Sequence, residues 1–181
     1  MNEHRYQRGY RAPARLLHWG IALLVVAQIV IALRAWRLPA GDDKYALLFQ
    51  HRSLGLTIFV LMVVRLGWRW ANDVPPLPDT MHAASRALAR FNQYLLYGLL
   101  LLLPLSGLAM SQSAGTVVSW FGLFDLPVIV AADEALLARM KLVHLGLNTV
   151  LFAALALHLI GALRHWLWLK DGVFSRMLTG R

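Results

Sequence analysis

Seven histidines occur in this chain, and four of them, His18, His51, His144 and His158, interrupt stretches that are otherwise strongly apolar. An imidazole can bind a metal through one ring nitrogen while the other donates a hydrogen bond, and it can carry a proton near neutral pH. Inside lipid, an ionisable side chain is costly and by default marks a functional position. The chain has no cysteine. That removes disulfides, iron–sulfur clusters, thiolate catalysis and the Cys-x-x-Cys-His attachment of a covalent haem. A haem would therefore be held non-covalently, through histidine or methionine. The six methionines, Met62 and Met110 among them, read as flexible core filler.

Hydropathy identifies the elements that must position these histidines. Of 181 residues, 59% are hydrophobic and 15% charged, with a mean hydropathy of +0.55, where a soluble domain carries about 25% charged residues. The apolar residues gather into four blocks, at about 16–34, 45–70, 91–110 and 142–163, each near the roughly 20 residues that cross a bilayer as a helix. The expected fold is all-α: one integral-membrane domain over 1–181, an up-down four-helix bundle. The first block exceeds the roughly 7–15 apolar residues of a signal peptide, so it reads as a retained span, with Leu38-Pro39-Ala40 a weak rival cleavage site. Pro75, Pro76 and Pro78 end the second block, an amphipathic lead-in over 81–92 precedes the third, and Pro104 is expected to kink that third span. Residues 111–140 form the longest connection, where Trp120 and Phe121 suit a membrane interface.

The net charge of +9 sits at the ends of these blocks and not in a solvated basic stripe, which argues against nucleic-acid binding. Four spans put both termini on one side. That side collects twelve Arg and Lys residues, Arg5, Arg8, Arg11, Arg15 and Arg181 among them, and the other has six: Arg34, Arg37, Lys44, Arg52, Arg139 and Lys141. The positive-inside rule then predicts cytoplasmic termini, with the two opposite loops periplasmic if the cell is Gram-negative.

Depth sorts the four histidines into two levels. His18 lies 16 residues from Arg34 and His158 lies 17 from Lys141, roughly 24–25 Å each at about 1.5 Å per residue. His51 opens the second span, and His144 is three residues beyond Lys141. His144 and His158 are 14 residues apart, which at about 100° and 1.5 Å per residue places them on one helix face, roughly 21 Å apart. Imidazoles from two facing helices fill both axial positions of a six-coordinate haem, and bundle interiors hold such cofactors. The pattern therefore points to two stacked b haems with these four histidines as iron ligands. A single intramembrane histidine is equally well explained by an interhelical hydrogen bond; four at two matched depths are not.

Other residues fit that reading. Small residues that would admit a porphyrin plane are Gly55 after His51, Gly20 after His18, Gly146 after His144, and Ala153, Ala154 and Ala156 before His158, though small residues also serve plain helix contacts. Haem propionates need cations, and Arg52, Arg139 and Lys141 at one level and Arg15, Arg69 and Arg164 at the other are candidates. His165 reads as interfacial, and His82 and His4 as solvated.

Taken together, Leu17-His18-Trp19, His51-x-x-x-Gly55, Leu61-Met62-Val63-Val64-Arg65-Leu66 before a proline-rich loop, and His144 with His158 resemble the bacterial cytochrome b561 family. Its superfamily includes cytochrome b subunits of membrane-bound nickel–iron hydrogenases and formate dehydrogenases. The resemblance covers nearly the whole chain and implies a bacterial inner-membrane protein with two haem b groups, ligated by His18 with His158 and by His51 with His144, that exchange electrons with ubiquinone. A stand-alone family member of this size is a superoxide oxidase, so the resemblance implies an enzyme that oxidises superoxide and reduces ubiquinone. On that reading Lys44, Arg52, Arg139 and Lys141 draw the anion to the periplasmic face, and His165 or Asp73 are candidates for supplying protons. The alternatives are a cytochrome b subunit that passes electrons between a partner dehydrogenase or hydrogenase and quinone, and a metal-ion transporter using the histidines as transient ligands.

Overall fold

A computed structural model describes residues 9–78 and 80–180. His4, Arg5, Arg8 and Arg181 lie outside the described residues. Four long helices dominate: α1 (Ala12–Arg37), α2 (Asp42–Ala71), α3 (Ala83–Ser113) and α4 (Glu134–Arg164). Each is long and apolar enough to cross a membrane. Strands β1 (Ser119–Trp120) and β2 (Phe124–Asp125) lie between α3 and α4, and a π-helical turn (His165–Leu169) and a short α5 (Val173–Leu178) follow α4.

Local chemistry sets the helix ends. Pro13 stands in the first turn of α1, where its missing N–H is no loss. Asp42 and Asp43 open α2, and the Asp133 side chain accepts a hydrogen bond from Leu136 N–H at 2.8 Å to cap α4; carboxylates there also meet the positive end of the helix dipole. The helices run to 26, 30, 31 and 31 residues, about 39–46 Å at roughly 1.5 Å per residue, longer than a hydrocarbon core of about 30 Å. Charged and capped turns continue past the lipid boundary because helical hydrogen bonding does not depend on it. For the same reason residues 81–92 are no separate lead-in: all but the first two are the opening turns of α3, which continues across Pro104.

The connection between α3 and α4 is correspondingly shorter than expected, 114–133, and it is built. Its strands pair antiparallel, Ser119 opposite Asp125 and Trp120 opposite Phe124. The hairpin is fastened to α2 through Ser53, which is 0% exposed. Ser53 Oγ donates to Ser119 O (3.2 Å) and accepts from Phe121 N–H (3.0 Å), and Trp120 Nε1 donates to Thr57 Oγ1 at 3.1 Å. Gln112 staples the return, donating to Pro127 O at 2.8 Å and accepting from Ile129 and Val130 N–H.

Consecutive long helices pack on one another, α1 on α2, α2 on α3 and α3 on α4. Two apolar seams result. Ile21, Val25, Ile58, Met62 and Tyr97 join α1, α2 and α3, while Leu99, Leu103, Leu151 and Ala154 join α3 to α4. Leu23, Val60, Leu102 and Leu159 point outward, as expected where the surrounding solvent is lipid. At the end carrying the termini, α5 turns back beneath the bundle. Trp19 Nε1 donates to Met177 O (3.1 Å), Arg176 Nη1 to Pro76 O (2.9 Å) and Tyr10 N–H to Arg176 O (3.3 Å), and Trp166 stacks on Phe174.

Candidate functional site

At the level nearer the termini, His18 of α1 faces His158 of α4 with ring centres 6.1 Å apart and planes inclined at 59°. An iron between two imidazoles spaces their centres by roughly 6 Å, about 2 Å of metal–nitrogen bond and about 1 Å from nitrogen to ring centre on each side. Arg65 lies close enough to act electrostatically on both rings. Its Nη1 donates to Ala14 O at 2.9 Å, and its guanidinium lies over the buried Tyr97 ring at 5.8 Å. Arg69 covers the same ring at 5.7 Å and donates to Gln93 Oε1. Arg65, within the Leu61-Met62-Val63-Val64-Arg65-Leu66 motif, interrupts an apolar run, and an arginine in such a run is the sequence sign of a cation facing the bundle.

At the other level, His51 and His144 are close enough to interact electrostatically. Ser106 Oγ lies 2.8 Å from His144 Nδ1, and a Cβ at Gly107 would stand in contact with the same ring, 3.4 Å from His144 Cε1. The His51 carbonyl accepts from Gln28 Nε2 at 2.8 Å, whereas His51 Nδ1 and Gln28 Oε1 are buried without hydrogen-bond partners. An unpaired buried polar atom costs about 1–3 kcal/mol, so these atoms suit a site built to enclose a further group. A Cβ at Gly55 would stand 3.2 Å from Gln28 Nε2, so this glycine makes room for the α1–α2 contact beside His51.

The donor set fits haem. Each level offers one histidine from α4 and one from a facing helix, with a spacing at the first level that brackets a single iron. Among the described residues no group of three or more His, Asp or Glu converges. The bundle would supply imidazole nitrogen above and below the iron and apolar walls beside it.

The remaining predicted residues scatter more. Lys44 is tied to the α1–α2 turn by a bond to Leu38 O at 3.1 Å, Arg52 is half-buried, and Arg139 and Lys141 are exposed on the first turns of α4. All four share the end of the bundle opposite the termini, through α2 and α4. Arg15 packs its guanidinium against Gly180 of the C-terminal segment. His165, the first residue of the π-helical turn, is 9% exposed, and its Nδ1 is 2.6 Å from Asp171 Oδ2. His82 is exposed at the start of α3, and Asp73 is exposed beside a cavity of about 30 Å³ lined by Tyr10, Arg11, Arg65, Arg69 and Tyr97.

A membrane-spanning helical bundle with histidines paired across its interior has the build of a membrane b-type cytochrome. The chain belongs to the prokaryotic cytochrome b561 family, whose family model matches residues 9–180. It is similar to cytochrome b561 homolog 2 of Escherichia coli, 29% identical over 171 residues that cover 93% of this chain and 90% of that protein. It is likewise similar to a probable superoxide oxidase, CybB, of Yersinia pestis (30% identity, 90% of this chain and 91% of that protein). Cytochrome b562 of Cereibacter sphaeroides is 31% identical, over 96% of this chain and 97% of that protein. The chain is thus a multi-pass membrane protein of redox and electron transfer that carries b haem.

Proposed function

We propose that this protein is a superoxide:ubiquinone oxidoreductase of the bacterial inner membrane, a single transmembrane domain holding two b haems. His18 and His158 ligate one, and His51 and His144 the other. The observation that carries the ligand assignment is the 6.1 Å separation of the His18 and His158 rings across α1 and α4, with a second histidine pair four helical turns along the same α4. The substrate rests on the similarity to the Yersinia pestis protein, whose name states that activity as probable.

Haem, when bound, supplies one-electron redox chemistry that no amino-acid side chain here offers. The balance is simple. Two superoxide anions each lose one electron and leave as dioxygen, and one ubiquinone gains two electrons and two protons to become ubiquinol. The chain's residues hold and guide. Four histidines fix the cofactors on rigid helices, and α4 carries one ligand of each pair, which sets the distance between them. Lys44, Arg52, Arg139 and Lys141 raise the local concentration of a small anion at the periplasmic face. Arg65, Arg69 and Tyr97 form a cationic, hydrogen-bonding wall near the His18 level, and the His165–Asp171 pair is a buried acid–base couple at the cytoplasmic end, suited to delivering protons.

Superoxide decay by the purified haem-loaded chain, followed with and without ubiquinone, tests this directly. Fast decay that requires ubiquinone and yields ubiquinol is expected. Decay unaffected by the quinone overturns the enzyme assignment. Co-purification with a metal-containing dehydrogenase or hydrogenase, together with inactivity of the isolated chain, points instead to an electron-transfer subunit.

A further inference from the structure

We propose that Ser106 is a positioning residue that fixes the tautomer of His144 and strengthens it as an electron donor to iron. The inference rests on the reading of His144 as an axial ligand. A serine hydroxyl has one proton and two lone pairs. Ser106 Oγ lies 2.8 Å from the Leu103 carbonyl of its own helix and 2.8 Å from His144 Nδ1. A carbonyl oxygen can only accept, so the hydroxyl proton goes to Leu103. What remains for His144 is a lone pair, and Nδ1 must then carry the hydrogen and donate it. Nε2 is left unprotonated, the form a metal requires.

The Leu103 carbonyl also lies within hydrogen-bonding reach of the His144 ring, and because it can only accept, it too favours a protonated nitrogen on that side. Ser106 is buried, shielded from water that would exchange for either partner. Gly107 follows immediately and lies against the edge of the His144 ring. Together Ser106 and Gly107 form a seat on α3, a helix that contributes no histidine of its own to either pair. His51 has no such serine: among the described residues its Nδ1 has no hydrogen-bond partner. The hydrogen bond draws Nδ1–H toward oxygen and leaves more negative charge on the His144 ring, which favours the ferric over the ferrous state. Hydrogen-bond partners of a metal-ligating histidine act in this way, and their loss typically changes metal affinity or activity about 10–100-fold.

Spectroelectrochemical titration of the purified haem-loaded protein reads this without reference to superoxide. Ser106→Ala is expected to move the potential of one haem upward and leave the other in place. A tenfold fall in the ferric preference corresponds to about 59 mV for one electron. Ser106→Thr and Ser106→Val have nearly the same shape and differ in the hydroxyl, so they guard against an alanine variant that loses haem. Thr is expected to keep the native potential and Val to reproduce the upward move. Potentials unmoved in both Ala and Val, a downward move, or a Thr variant that behaves as Val overturns the role of the hydroxyl. If His144→Ala retains two six-coordinate haems, the ligand reading itself is overturned, a result separable from unmoved potentials in a protein whose ligands are intact.

Discussion

On the proposed assignment four imidazoles on three helices hold the haems, and their distribution makes them separable. His144 and His158 share α4 but belong to different levels, roughly 21 Å apart at about 1.5 Å per residue. Replacing one should not disturb the other's partner. His158→Ala is therefore expected to reduce haem content from two to one per chain, and His144→Ala to do the same with the opposite haem surviving. The pyridine haemochrome assay and the reduced absorption bands of each variant check this. If either single variant loses both haems while the helical content is unchanged, the two levels are not independent sites. These histidines were legible in the sequence because imidazole is conspicuous in an apolar run. Their supports were not. Ser106, Gln28 and Gly107 are ordinary residues in a transmembrane helix, and only the packing of α3 on α4 and of α1 on α2 reveals what they touch.

The same division holds for the elements. The four spans announced themselves by hydropathy, since lipid demands long apolar helices whose backbone groups are satisfied internally. Helix ends and the α3–α4 hairpin did not. Two-residue strands show no alternation, and the turn at Phe121 and Gly122 places both residues at positive φ, 51° and 72°, where an Asn-Gly or Asp-Gly pair would have been the recognisable signature. What holds that unusual turn is Ser53. Ser53→Ala removes the partner of Phe121 N–H and Ser119 C=O, a loss bounded by the roughly 1–3 kcal/mol that a fully buried unsatisfied group costs. A lower unfolding temperature and faster proteolysis within 114–133 are expected, with both haems retained; unchanged proteolysis would show that the hairpin is fastened elsewhere. At the opposite end, Tyr10 reports on the α5 latch. Burial is the main influence on its phenol and raises its pKa above the ordinary 10.0, although Arg69 and Arg65 pull the other way. The folded state thus prefers the protonated phenol. Its stabilising contribution is full below about pH 10 and is lost as pH rises from there through the raised folded value. Thermal unfolding between pH 8 and pH 11 should show a loss at the alkaline end that Tyr10→Phe reduces.

Across the whole molecule, charge is strongly sided. Among the described residues the end with the termini carries nine cations against two carboxylates, Asp73 and Asp171. The opposite end has six cations against five, Asp42, Asp43, Asp125, Asp133 and Glu134. The first imbalance predicts orientation. A C-terminal alkaline phosphatase fusion should be inactive and a fluorescent protein fusion bright, the reverse pattern placing the termini outside. The second imbalance limits how a small anion can be attracted. A face with almost no net charge cannot steer from afar, so any attraction belongs to local cations, and Arg52, next in sequence to His51 and half-buried, is the best placed. Half-burial protects its field from counter-ions, whereas Arg139 and Lys141 are exposed and are screened over roughly 10 Å at 0.1 M salt and about 3 Å at 1 M. Arg52→Gln is therefore expected to lower the superoxide rate several-fold across the whole salt range, and a double replacement of Arg139 and Lys141 by Gln to lower it only at low ionic strength. Stopped-flow superoxide decay from 0.02 to 1 M salt distinguishes the two behaviours. Identical rates for all three proteins at every salt concentration would mean that the anion reaches the His51 level without help from these charges.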